Sequence, residues 1–168
     1  SDVRSVRSSD ICSISGKVYY TRRDTGKNSV LRDLTIKFKK FFYSFHIKVD
    51  SNGCYNSRVY ANKSYRVVIP IKTDYSRAKG ELGIRSYRAV GNITIPDKRE
   101  YALYFKLYNS PVLHVFDTVY YLYNFAKTEG IFDAMVQTPN VAVSFSPILN
   151  YFSASAGLGG SHGIKIKS

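Results

Sequence analysis

Cations set among aromatic residues are the chemically most patterned feature of this sequence. Lys37, Lys39, Lys40 and Lys48 surround Phe41, Phe42 and Tyr43 in one short stretch, and Arg77, Lys79, Arg85 and Arg88 surround Tyr87 in another. Lysine and arginine neutralise phosphates, and aromatic rings offer faces on which bases stack. The pattern suits a polyanion, either an acidic glycan or a nucleic acid. A solvated strand face beside a tyrosine-rich core would read the same way, and no recognisable RNA-binding or single-strand-binding signature accompanies it.

Groups able to break bonds do not assemble from the sequence. The histidines are His46, His114 and His162, and no two stand four apart as a helical metal pair requires. Ser161 and His162 are neighbours, but adjacent residues on an extended chain point to opposite sides, so no nucleophile and base result. The carboxylate pairs Asp97 with Glu100 and Glu129 with Asp133 fall at element ends, where turn and cap roles suffice. Gly157, Gly159 and Gly160 lack the strand-then-helix setting and the Lys-Ser/Thr step of a phosphate loop. No catalytic residue, metal ligand or cofactor is therefore expected.

Cys12 and Cys54 are the two cysteines, too far apart for a CxxC site. In a reducing compartment they would be two small buried thiols. In an exported protein they would form a disulfide, closing a loop worth roughly 3–4 kcal/mol in the chain-entropy model. Their placement at the edges of predicted strands favours the disulfide.

Over 168 residues the net charge is +13, and all of it lies in one part of the chain. Residues 1–99 carry 21 basic and 8 acidic side chains, whereas residues 100–168 carry 4 of each. That asymmetry suggests two units with different surfaces, the first attracted to polyanions. With 44% apolar and 22% charged residues the chain is globular. No apolar run is long enough to span a bilayer, and Ser1 to Ser9 has no signal-peptide core, although a signal could have been removed.

The elements that must position these groups are mainly strands. Alternation in Ile14 to Tyr20, Leu34 to Phe38, Tyr43 to Val49 and Tyr65 to Ile71, with turns at Asp24-Thr25-Gly26 and Asp50-Ser51-Asn52-Gly53, predicts a small antiparallel sandwich. Residues 73–92 read as a polar loop or irregular hairpin, and the strand pattern resumes at Ile93 to Ile95 and Tyr101 to Tyr108. Ser110-Pro111 starts a helix that Gly130 ends, with Val115, Val119, Leu122 and Ala126 as its packing stripe. Val141 to Phe145 reads as a strand, Pro147 to Ser155 as a loop, Ala156 to Gly160 as a flexible connector, and Ile164 and Ile166 as a last short strand. Asn62-Lys63-Ser64 and Asn92-Ile93-Thr94 are glycosylation triplets, relevant only in an exported chain.

Two stretches resemble known families. Gly16-Lys17-Val18, Asp24-Thr25-Gly26, Leu31 to Ile36, Val49 to Tyr55 and Tyr65 to Pro70 resemble the prealbumin-like, carboxypeptidase-regulatory-like sandwich modules of secreted proteins, over about residues 11–72. That resemblance implies a non-catalytic accessory or adhesive module outside the cell. Val119 to Ala126, Gly130, Val141-Ala142-Val143 and Gly163 to Ile166 look like the segment before the HExxH helix of thermolysin-like and fungalysin-like zinc peptidases. The chain departs from that pattern in having no HExxH, and Lys127-Thr128 stands where the family helix often has a His-Asp pair.

The expectation is thus a mainly β protein, with a basic antiparallel sandwich over residues 1–108 and a small α+β extension with one long helix over 109–168. It is expected to be a non-enzymatic extracellular or cell-surface binding module, for other protein subunits or a polyanion, with Lys37, Lys39, Lys40, Lys48, Arg77, Lys79, Arg85 and Arg88 as the polyanion contacts. A different class of function is a self-assembling structural subunit, a homo-oligomer joined by adding the Ile164 and Ile166 strand to a neighbour's open sheet. A third is nucleic-acid binding through the basic half.

Overall fold

The computed structural model describes residues 10–79, 88–107, 111–131, 140–146, 151–157 and 161–167. The protein is mainly β, and the chain divides into two compact units, Ser1–Pro70 with Arg88–Tyr108 and Ile71–Tyr87 with Asn109–Ser168.

The first unit is a two-sheet sandwich. In one sheet the long strand β1 (Ile11–Thr21) is central. It pairs antiparallel with β5 (Cys54–Tyr60) along its first half and with β2 (Asn28–Val30) along its second. On its other edge it runs parallel to β9 (Glu100–Ala102) and β10 (Phe105–Lys106). The second sheet has the order β4 (Tyr43–Lys48), β3 (Thr35–Lys40), β6 (Lys63–Pro70), β8 (Arg88–Ile95), antiparallel throughout.

Period-two alternation supplies the core. Cys12, Ile14, Val18 and Tyr20 of β1 are buried, as are Ile36 and Phe38 of β3, Ile47 of β4 and Tyr65, Val67 and Ile69 of β6. Each large apolar side chain taken fully out of water contributes roughly 1.5–3 kcal/mol. Phe38 bridges the sheets, stacking on Phe45 at 5.1 Å and meeting the Phe105 ring edge-on at 6.3 Å. The turns use the residues expected of them. Gly26 and Gly53 have φ of 66° and 77°, and the Asp50 carboxylate accepts from the Asn52 and Cys54 amides at 2.8 and 2.9 Å.

β9 and β10 are one run interrupted at Leu103 and Tyr104. The Leu103 amide still donates to Ser15 O and the Leu107 amide to Tyr19 O, both at 2.8 Å. At the interruption the Leu103 carbonyl drops onto β1, so close that a Cβ on Gly16 would lie 1.8 Å from its oxygen. The buried Tyr55 hydroxyl donates to that same carbonyl. Burial, followed by the nearby Tyr104 and Tyr101, pushes the Tyr55 phenol well above its ordinary pKa.

The second unit holds β7 (Ser76–Lys79), α1 (Pro111–Thr128), β11 (Asn140–Ser146), β12 (Tyr151–Gly157) and β13 (Ser161–Lys167). The strands form one sheet in the order β13-β12-β11-β7, and β7 pairs parallel with β11. A parallel pair needs a crossover, and α1 lies within it. Gly130 ends the helix with φ 71° and its amide on Lys127 O.

Several expectations are corrected here. Residues 73–92 are not simply a loop, since β7 lies within them and β8 begins at Arg88. Pro147 to Ser155 is not all loop, because β12 starts at Tyr151 and continues through Ala156 and Gly157. The helix stripe is rotated from the predicted one: Val112, Leu113, Phe116 and Val119 are buried, whereas Leu122 is 65% exposed. Tyr123, one position on, stacks on Tyr75 at 4.2 Å and fixes that rotation. The disulfide does not form, and both thiols are free. Cys12 pairs in register with Val59 and Lys17 with Cys54, so the cysteines sit five register positions apart on one strand pair, roughly 17 Å at the usual rise and well beyond bridging range. Among the described residues no helix is long and apolar enough to cross a membrane.

Candidate polyanion-binding face

The second sheet of the first unit has a core side and an outer side, and its register arranges the outer side as a grid. The row Ser44, Lys39, Arg66, Asn92 runs across β4, β3, β6 and β8. The next row is His46, Lys37, Val68, Val90, in which Val68 is buried and departs from the alternation of β6. Thr35 lies opposite Lys48 further along β3 and β4, and Arg88 opposite Pro70 on β6 and β8. Neighbouring strands lie about 4.8 Å apart and residues two apart on a strand about 6.7 Å, so the cations of this grid are spaced as closely as the charges of a polyanion.

No Asp or Glu occupies any outer position in these rows. Lys39, Arg66, Arg88, His46 and Lys48 are exposed and Lys37 is half-buried. Lys39 and Arg66 are direct cross-strand partners, an arrangement of like charges that destabilises a sheet. Elsewhere in the first unit Arg22 and Asp24 form an ion pair at 3.0 Å.

The residues singled out from the sequence separate on this background. Lys37 and Lys39 lie on the face, and Lys48 lies at its rim with its ammonium donating to Asp33 O at 3.1 Å. Lys40 follows the core-side phase at the strand end. Its ammonium donates to Ser64 O at 3.1 Å and sits 5.6 Å from the Tyr65 ring centre. Desolvation, then the hydrogen bond with Tyr43, raises the Tyr65 phenol pKa. Arg88 joins the face from β8, while Arg77 and Lys79 belong to β7 of the second unit. Arg85 lies outside the described residues. Ile164 and Ile166 are in β13, registered with Ala154 and Phe152 of β12 in an antiparallel pair within the chain.

Arg66 and His46 complete the face and were not among the expected contacts. Arg66 is distant in sequence from Lys39, and only the β3 to β6 pairing brings them together. Its position on the polar phase between buried Tyr65 and Val67 is the signal that could have placed it.

The first sheet's outer side is different in kind. Two shallow hollows of about 510 and 450 Å³ share Ser15 and Asn56 there, one flanked by Arg58 and Glu100 and the other by Lys17, Asp50 and Lys48 of β4. Their charges are mixed, so they concentrate neither sign. Among the described residues no group of three or more His, Cys, Asp or Glu could hold a metal ion.

No protein-family model matches the chain, and no curated protein matches it. Among solved structures it shows a low likeness to a proposed carbohydrate binding protein from Pseudomonas aeruginosa, at 11% identity and TM-score 0.38, covering 57% of this chain and 88% of that one. A DUF3823 family protein from Parabacteroides merdae aligns at 12% identity and TM-score 0.35, covering 57% of this chain and 45% of that one. At these scores neither likeness bears on the site.

Proposed function

We propose that this chain is a non-enzymatic binding module whose outer β4-β3-β6-β8 face holds an extended polyanion. One observation carries the reading: a sheet face with Lys37, Lys39, Arg66, Arg88 and His46 and no carboxylate, in which two cations oppose each other directly. A polyanion relieves that repulsion, so binding gains from the feature that costs the free protein. The face carries no Phe, Tyr or Trp in its rows, the exposed Phe41 and Phe42 standing beyond its end, so bases have no stacking platform among the cations of the grid. An acidic polysaccharide is therefore the preferred ligand over single-stranded nucleic acid. Such a ligand suits a cell-surface or extracellular setting, in which exposed Asn62, away from the face, would be available for glycosylation.

The test is retention on an immobilised sulfated polysaccharide across a salt series, compared with single-stranded DNA. Retention on the polysaccharide that falls steeply with salt, and that drops when Lys37, Lys39 and Arg66 are changed together to serine, supports the reading. Retention unchanged in that triple variant refutes it, and stronger binding to single-stranded DNA transfers the face to nucleic acid.

A further inference from the structure

The apex between β3 and β4 breaks two local rules at once. Lys40 and Tyr43 are register partners, so Phe41 and Phe42 alone form a two-residue hairpin loop. Loops of that length favour turns with positive φ, supplied by Asn-Gly, Asp-Gly or Gly-Gly. Neither Phe41 nor Phe42 has a positive φ. Both rings are also 90% exposed, meeting each other edge to face at 4.6 Å. A sequence that places two large apolar rings where turn chemistry and solvent both disfavour them has a local conflict of the type expected at a functional position.

The chemistry around the apex identifies the occupant. Lys39 and Lys40 immediately precede it, and Tyr43 follows, 41% exposed. The β3 to β6 register brings the start of β6, with exposed Lys63, to the same end of the sheet. Lys63 is the register partner of Ile95, which places the following Pro96 turn and exposed Lys98 there too. Among the described residues the acidic groups near this end are Asp97, within that turn, and Asp10, whose carbonyl accepts from the Ala61 amide. Cations thus outnumber acids behind a protruding apolar tip. A convex pair of rings with a basic collar fits a layered partner, apolar below and anionic above. Such a tip reaches about the 5–10 Å depth at which apolar groups sit beneath lipid headgroups.

We propose that Phe41 and Phe42 insert into the interface of an anionic lipid bilayer, with Lys39, Lys40, Lys63 and Lys98 at headgroup level. This contact uses the end of the sheet and does not depend on polysaccharide binding by its outer face. Each lysine near an anionic surface adds about fivefold to partitioning at low salt, and loss of both rings removes about tenfold or more.

The experiment is sedimentation of the chain with phosphatidylcholine vesicles, with and without phosphatidylglycerol, for the wild type and for Phe41→Ser with Phe42→Ser. The wild type is expected to co-sediment with the anionic vesicles only, and the double variant to lose at least about tenfold of that partitioning. Retention on the sulfated polysaccharide is expected to stay unchanged in the double variant, which separates failure of this proposal from failure of the sheet-face reading. Because the chain has no tryptophan, Phe41→Trp provides a sole reporter whose emission should shift blue and be quenched by brominated lipid in anionic vesicles. Absence of wild-type binding, equal binding by the double variant, equal binding to neutral vesicles, or unshifted emission from the Phe41→Trp variant each overturns the proposal.

Discussion

Reversing either of the charges that oppose each other across β3 and β6 should stabilise the free protein and weaken polyanion binding together. Lys39 and Arg66 are register partners and both are exposed. Cβ atoms of directly opposed residues lie about 4.5–5.5 Å apart, where opposite charges contribute roughly 0.2–1 kcal/mol and like charges cost a similar amount. Solvent screening holds the swing from like to opposite charge to about 0.5–1 kcal/mol at low ionic strength. For a unit of this size that is a rise on the order of 2–8 °C in the unfolding midpoint of the first unit. Lys39→Glu and Arg66→Glu should each show it, and the double reversal should return to the wild-type value because like charges face each other again. The gain should vanish near 1 M salt, where the Debye length is about 3 Å. Retention on the sulfated polysaccharide behaves differently, since each reversal replaces a cation by an anion and the double variant binds weakest. Stability is then non-additive where binding is cumulative. Single reversals that lower the midpoint, with a double variant equal to their sum, would refute the argument that this face is electrostatically strained.

Gly16→Ala should destabilise the first unit by about 3 kcal/mol or more in denaturant titration, because its Cβ would meet the Leu103 carbonyl, a backbone atom that cannot give way cheaply. Tyr55→Phe leaves that carbonyl without the phenol donor and should cost about 1–3 kcal/mol. The Tyr55 and Tyr65 phenols and the Cys12 thiol, the last raised by burial and then by Glu100, all ionise less readily when folded. Their stabilising contribution is therefore complete below the ordinary thiol and phenol values, about 9 and about 10, and is lost as pH rises above them, so alkaline unfolding should coincide with the part of the tyrosinate absorbance that Tyr55→Phe and Tyr65→Phe remove. In native protein at neutral pH a thiol reagent should modify half-buried Cys54 quickly and buried Cys12 only on unfolding; two equally fast thiols would contradict the fold. Phe116→Ala should cost about 3–5 kcal/mol, whereas Leu122→Ala should stay within about 0.5 kcal/mol, which checks the rotated helix stripe.

The sandwich was legible because alternation is a local signal: Ile36 and Phe38, or Tyr65 and Val67, declare their buried phase without knowledge of the partner strand. Turns were legible for the same reason, since Gly26 and Gly53 mark positive φ in the chain itself. Pairing was not. That β1 takes β9 and β10 as parallel neighbours, and that Cys12 and Cys54 end five register positions apart, depends on contacts between distant segments. The helix stripe was misplaced because exposed Leu122 and packed Tyr123 fit a three-and-four spacing equally well, and only the stack on Tyr75 separates them. Of the face, Lys37 and Lys39 could be read from one strand, whereas Arg66 reached it by register alone.

The departures from local consistency are unevenly distributed. In the first sheet the tightest feature, the Leu103 carbonyl over Gly16, is answered by a residue without Cβ and by the Tyr55 hydroxyl, so crowding there is resolved within the fold. In the second sheet the opposed Lys39 and Arg66 and the apical Phe41 and Phe42 have no comparable answer from the described residues around them. On the two readings proposed above, a negative surface would relieve the first conflict and an apolar layer the second. Core packing does not require either, because the side chains involved face away from Phe38, Phe45 and Tyr65, which hold the sheet together through their own ring contacts. The stabilising effect of Lys39→Glu or Arg66→Glu on the free protein is the direct measure of how much the opposed charges cost.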